Sequence, residues 1–203
     1  MNIKHLQSVL KERHPKPDGD YQEFSIFVPL VHVNDELQLL FEVRSETLRN
    51  QPGEICFPGG RIEKFETPEQ AALRETSEEL NISLTLLEVL APLDYIVTPF
   101  NVILYPFLGT LNIQNMDEIQ FNRDEVAEIF TVPLSFFINQ PPITHYINIT
   151  TSPNQDFPFD MIQNGERYNW RVGKYPVLFY EYQDKIIWGM TARIVKSFIE
   201  SIK

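Results

Sequence analysis

The stretch GRIEKFETPEQAALRETSEELNI, Gly60 to Ile82, decides how the rest of the chain is read. A helix opens in its middle. Thr67 is a good N-cap, Pro68 suits the first helical position, and Gln70 can close a capping box. Asn81 follows the last turn, where a left-handed residue commonly ends a helix. The spacing predicts a helix from about Pro68 to Leu80. One face carries Leu73, Thr76 and Leu80 and can bury against a sheet. Roughly opposite stand Glu75, Glu78 and Glu79, at i, i+3 and i+4. Ala71 and Ala72 lie upstream on that acidic side and are expected to leave open space beside it. Like charges at such spacings destabilise a helix by roughly 0.2–0.5 kcal/mol per pair. They also sit near the C-terminal end, where the helix dipole favours cations. Clustered carboxylates suit Mg²⁺ or Mn²⁺, because Mg²⁺ takes a few carboxylates, some waters and substrate phosphates. The plain alternative is a solvated acidic face.

Upstream, FSIFVPLVHV (Phe24–Val33) and LQLLFEVR (Leu37–Arg44) are apolar, β-branched runs joined by the turn signal Asn34–Glu36, and read as a hairpin. Between them and the helix lies SETLRNQPGEICFPGG, Ser45 to Gly60. It is long, polar and bent by Pro52, Gly53, Pro58, Gly59 and Gly60, and long loops in compact domains are usually functional. Arg44 and Arg49 can grip phosphate in a bidentate manner. Arg61 and Lys64 add positive charge nearby, and Gly59 and Gly60 let backbone approach a ligand closely. Phe57 and Pro58 read as packing residues. Downstream, TLLEVLAPL, NVILYPFLGTL, ITHYINITT and VLFYEYQDKIIW read as strands. A short helix is expected after Pro133, and Met190–Lys203 reads as a closing helix. Strands interleaved with a few helices predict an α/β or α+β fold.

The 203 residues suit one domain with a sizeable core. We read residues 1–203 as that single domain, with a short amphipathic N-terminal helix carrying Ile3, Leu6 and Leu10. Lys and Arg number 17 against 28 Asp and Glu, a net charge of −11, which argues against a nonspecific nucleic-acid surface. The one cysteine, Cys56, excludes an internal disulfide and reads as a small buried hydrophobe. No run approaches the ~18 apolar residues of a membrane span. The first residues lack the apolar core of a signal peptide. A cytoplasmic protein is the expectation. Scarce Gly and plentiful Ile and Asn suit a bacterial genome of low GC content.

The spacing G-x5-E-x7-R-E-x-x-E-E is filled by Gly60, Glu66, Arg74, Glu75, Glu78 and Glu79. Over these 23 residues the chain resembles the Nudix hydrolases. Two positions depart from that signature: Thr76 replaces an aliphatic residue and Asn81 replaces the final Gly. Neither is a charged position. The run from Arg44 to Gly60 reads R-S-x3-R-x3-G-x3-F-P-G-G and resembles the extra signature of the coenzyme A diphosphatase branch. IWGMTARIV, Ile187 to Val195, more loosely resembles that branch's C-terminal segment.

The resemblance implies an α/β/α sandwich with a mixed sheet and a metal-dependent hydrolase of the diphosphate in nucleoside derivatives. It implies Glu75, Glu79 and Glu78 as metal ligands, joined by the Gly60 carbonyl. Arg74 would hold the cluster in place, with Glu66 as its partner. Glu78 would be the third ligand or act at the attacking water, Glu79 and Arg74 count with it among the catalytic residues, and Glu125 and Glu128 are further candidates for the general base. Arg44, Arg49, Gly59 and Arg61 are the candidate substrate-binding residues. The branch signature implies cleavage of coenzyme A or its thioesters to 3′,5′-ADP and 4′-phosphopantetheine or its acylated form. A broader activity on NADH or ADP-ribose stays open, as does a ligand sensor that keeps the fold. A homodimer follows from family habit alone.

Overall fold

The structure is a computed structural model and describes residues 2–113 and 115–203. Helix α1 (Ile3–Leu10) is capped by the Asn2 side chain and buries none of its residues. Strands β1 (Gln22–Val33) and β2 (Glu36–Arg44) form the expected hairpin, with Val33 opposite Glu36. Asn34 and Asp35 both take positive φ, at 51° and 62°. Such a turn matches the right-handed twist of the flanking strands.

The two strands pair directly only from Leu30–Leu39 to the hairpin turn. Beyond that point residues 55–61 fill the opening between them. Within this segment β3 (Ile55–Cys56) pairs with β2, and β4 (Gly59–Arg61) pairs with β1. The Phe27 N–H donates to the Pro58 carbonyl at 2.9 Å, closing the stretch between them. A run that reads as loop is therefore part of the sheet. Its glycines and prolines conceal that role, because they lack the strand periodicity of the neighbouring segments.

Helix α2 (Pro68–Glu79) follows, with the expected capping box between Thr67 and Gln70. Asn81 takes φ 50°, as its position predicts. Strands β5 (Leu87–Pro92), β6 (Ile96–Val97), β7 (Val102–Leu111) and β8 (Val126–Pro133) complete an eight-stranded sheet. β7 runs parallel to β1, and the other pairings are antiparallel. The sheet is thus mixed, as expected.

Helix α2 covers one face, where Ala72 and Leu80 pack on Phe27, Val31, Leu40 and Phe107. The other face carries Val28, Leu30, Leu39, Phe41 and Phe57. It is covered by α3 (Leu134–Asn139) and α4 (Gly189–Ser201), which contribute Phe137, Val195 and Phe198. Each such side chain contributes about 1.5–3 kcal/mol when fully buried. A second sheet of β9 (Ile143–Thr150), β10 (Val172–Tyr182) and β11 (Lys185–Trp188) shares that layer. Leu178, Tyr180 and Ile187 carry it into the same core.

One expectation about α2 fails. Ala71 and Ala72 are both fully buried, so they leave no space beside the carboxylates. Their small side chains bring the helix close to β1 and β4, and the Ser25 hydroxyl donates to the Pro68 carbonyl across that contact. Closeness to the sheet is what buries part of the acidic face.

Candidate active site

The three helix carboxylates have three different environments. Glu79 is 5% exposed, and its Oε2 accepts from the Gly59 N–H at 2.8 Å. Glu75 is half-buried, with its carboxylate lying directly over Gly60; a Cβ there would collide with the carboxyl carbon and oxygens. Glu78 is exposed. Burial raises the Glu79 carboxyl well above the usual carboxylate range. The charges of Glu42, Glu75 and Glu125 push it the same way, against the Gly59 N–H. Burial also raises Glu75, opposed by Arg74.

Arg74 holds this acidic group in place. Its Nε and Nη2 make a forked contact with Glu66 at 2.8 and 3.0 Å. Its Nη1 lies 2.8 Å from Glu75 and 3.3 Å from Glu78, and its Nη2 also donates to the Arg61 carbonyl. The Glu66 bond and, after it, the contact with Glu75 raise the Arg74 pKa further, while Glu66 is lowered. A lysine has one point charge where arginine has a planar fork. Arg74→Lys is expected to keep one contact, release Glu75 and lower metal affinity about 10–100-fold. Titration with Mn²⁺, followed by its electron paramagnetic resonance signal, checks this.

Glu125 lies in the turn before β8. The Asn122 N–H donates to the Glu79 carbonyl, and the Ser45 N–H donates to the Glu125 carbonyl, both at 2.8 Å. These bonds tie the turn to the end of α2 and to the start of the motif loop. The charge of Glu125 is felt by Glu42, Glu75 and Glu79. Glu128 instead pairs with Lys185 at 2.7 Å, which gives it a structural partner. The two residues are only three apart, but a register shift between Val43 and Arg44 sits between their pairings.

Among the described residues, no carboxylate lies within ion-pair distance of Arg44, Arg49 or Arg61. Arg44 makes one long contact, 3.5 Å to the Asn50 carbonyl. Arg61 sits on β4 opposite Phe24, and Arg49 is exposed in the loop. Phe57 is buried and stacks on Phe41 at 4.6 Å, the packing role expected of it. The Thr191 hydroxyl donates to the Ile55 carbonyl at 3.1 Å, joining the C-terminal motif to the same segment.

Glu42 escaped the sequence reading. It stands in β2 at 1% exposure, paired with Cys56, whose thiol donates to its Oε1 at 3.3 Å. Cys56 is therefore a half-buried donor rather than a plain hydrophobe. The available signal was a glutamate in the apolar run LQLLFEVR.

Among the described residues, no three Asp, Glu, His or Cys side chains come together so as to hold a metal ion between them. The donor set still fits a divalent cation, because Mg²⁺ keeps waters and substrate oxygens and needs only a few carboxylates. Glu75 and Glu79 face the Gly59–Gly60 strand from one helix, and repulsion among buried carboxylates is what a cation offsets. Among the described residues, no helix is long and apolar enough to cross a membrane.

The NUDIX domain model matches residues 24–146. The chain is 38% identical over 136 residues to the peroxisomal coenzyme A diphosphatase NUDT7 of Mus musculus, covering 66% of this chain and 56% of that protein. It is 33% identical over 151 residues to Nudix hydrolase 3 of Caenorhabditis elegans, covering 71% and 62%. The chain thus spans less than two thirds of the length of either relative. A crystal structure of a MutT/nudix family protein from Enterococcus faecalis shares the fold, with a TM-score of 0.54 at 15% identity, covering 100% of this chain and 70% of that one. With the matched domain spanning more than half its length, this chain belongs to the Nudix hydrolase family.

Proposed function

We propose that this chain hydrolyses the diphosphate of coenzyme A or its thioesters, releasing 3′,5′-ADP and 4′-phosphopantetheine or its acylated form. The observation that carries the reading is the junction of two motifs. The loop that begins at Arg44 ends as a strand pressed against the acidic helix, with the Gly59 N–H on Glu79 and Gly60 under Glu75. The mouse relative's name, a coenzyme A diphosphatase, points the same way. Residues 1–203 are read as one domain, and a cytoplasmic setting and a homodimer belong to the same reading.

Glu75 and Glu79 would hold Mg²⁺ or Mn²⁺, with Glu78 and the Gly60 carbonyl completing the protein ligands. When bound, the cation polarises the diphosphate, offsets charge gained in the transition state and lowers the pKa of bound water. Arg44, Arg49 and Arg61 grip the phosphates. Gly59 lets the backbone come close. Water attacks a phosphorus as the bridging P–O bond breaks, and Glu125 takes the proton, with Glu78 as the alternative acceptor. Arg74 keeps Glu75 aimed.

The purified chain is to be incubated with coenzyme A, NADH and ADP-ribose in Mg²⁺ or Mn²⁺, with products read by mass spectrometry. The expected result is metal-dependent 3′,5′-ADP and 4′-phosphopantetheine from coenzyme A. Cleavage of NADH or ADP-ribose with coenzyme A untouched would overturn the substrate and keep the chemistry. A folded protein that turns over none of the three would favour the sensor.

A further inference from the structure

Three buried side-chain polar atoms among the described residues have no hydrogen-bond partner, and two of them are neighbours on β2. One is Glu42 Oε2, the oxygen that the Cys56 thiol does not reach. The other is Arg44 Nε. A register shift sits between Val43 and Arg44, and the charge of Arg44 acts on Glu42. Other buried polar side chains near α2 are satisfied: Ser25 bonds to the Pro68 and Tyr105 carbonyls, and Thr76 to the Ala72 carbonyl. Two bare groups of opposite hydrogen-bonding character on one strand therefore ask for a shared partner, while the third, Thr110 Oγ1, lies on β7.

Their chemistry names it. A carboxylate oxygen only accepts, and a guanidinium N–H only donates. A phosphate oxygen could satisfy Arg44 but would be repelled by Glu42. A water satisfies both, accepting from the N–H and donating a hydrogen bond to the carboxylate, as buried waters do between otherwise unpaired groups. Four charged or titratable groups surround Glu42: Arg44 on its own strand, Cys56 on β3, Glu79 on α2 and Glu125 before β8. Only Arg44 among them is a cation. The position links the acidic helix to the arginine of the motif loop.

We propose that Glu42 is a positioning residue of the site: its free carboxylate oxygen and the free Nε–H of Arg44 share one internal water, which turns the terminal guanidinium nitrogens toward the substrate diphosphate. This rests on the reading of Arg44 as a substrate-binding residue. Glu42 touches no reacting atom and acts through Arg44.

Two measurements test it. A crystal structure that resolves ordered waters is expected to show one within hydrogen-bond distance of both Glu42 Oε2 and Arg44 Nε. A metal ion there, or nothing, would overturn the proposal. In solution, Glu42→Leu, Arg44→Lys and the double variant are compared by calorimetry with α,β-methylene ADP in Mg²⁺, and by Mn²⁺ binding alone. Glu42→Leu is expected to weaken the nucleotide analogue about tenfold, to cause no fall in Mn²⁺ affinity, since it removes a charge that opposes ionisation of Glu79, and to have no further effect in the Arg44→Lys background. Additive losses, or a fall in Mn²⁺ affinity, would sink the positioning role. If Glu42→Leu does not fold, Glu42→Gln keeps the shape, removes the charge and is expected to give a smaller loss in the same direction; no loss at all would overturn the idea. Should Arg44→Lys alone leave analogue binding intact, Arg44 is not a substrate group. The crystallographic water would still report on Glu42 separately.

Discussion

Glu79→Gln is expected to lower metal-dependent turnover by at least about 10²–10³-fold, the scale of losing one charge-stabilising group from an active site, while the protein stays folded. The physical case rests on how Glu79 is held. It is 5% exposed, and its Oε2 takes the Gly59 N–H. The amide oxygen of Gln can take the same bond at nearly the same shape. Without a cation, the substitution removes a charge that burial disfavours, so thermal stability in metal-free buffer should hold or rise. The loss appears with metal. Anything that binds the folded state stabilises it, so Mg²⁺ should raise the melting temperature of the parent protein and leave that of the variant unmoved. Steady-state kinetics with coenzyme A and thermal unfolding with and without Mg²⁺ check both halves. Equal turnover in the variant would mean the cation sits elsewhere.

The adjacent glycines should respond differently to the same methyl group. Gly59 takes φ 154°, and a Cβ there would collide with the Ser25 carbonyl oxygen and lie 2.9 Å from Ile26 Cα. Both are backbone atoms of a central strand and cannot turn aside. Gly59→Ala is expected to cost about 2–6 kcal/mol, adding backbone strain of about 1–3 to overpacking of about 1–3. The three atoms nearest a Gly60→Ala methyl all belong to the Glu75 carboxylate, the end of a flexible side chain. It should fold close to normally, push Glu75 aside and reduce turnover about 10–100-fold. Urea denaturation and kinetics on both variants separate the effects. A stable Gly59→Ala beside an unfolded Gly60→Ala would contradict the placement of this strand between β1 and α2.

The helix was legible because its signals are local. Thr67, Pro68 and Gln70 act within one turn, and Asn81 needs only its own φ. The hairpin was legible for the same reason, since its apolar runs flank a short turn. Ser45–Gly60 was legible as functional but not as sheet. Residues 55–61 pair with two strands far apart in sequence, and nothing local marks such pairing. Glu125 and Glu128 look equivalent in sequence. The Asn122 and Ser45 bonds hold the turn bearing one against the end of α2 and the start of the motif loop, and Lys185 pairs with the other. In the sequence, Ala71 and Ala72 suggest open space because they are small. Small size instead lets the helix settle onto the sheet.

By itself the sequence determined the family signature, the capped acidic helix, the arginine-bearing loop and the alternation of strands and helices. These depend on residue type and spacing within a few turns. Tertiary structure alone decided the differing exposure of the three glutamates, the insertion of Gly59 and Gly60 beneath them, and the burial of Glu42 beside Arg44. Burial and repulsion are sums over groups from several elements, and only the closed sheet brings those groups together.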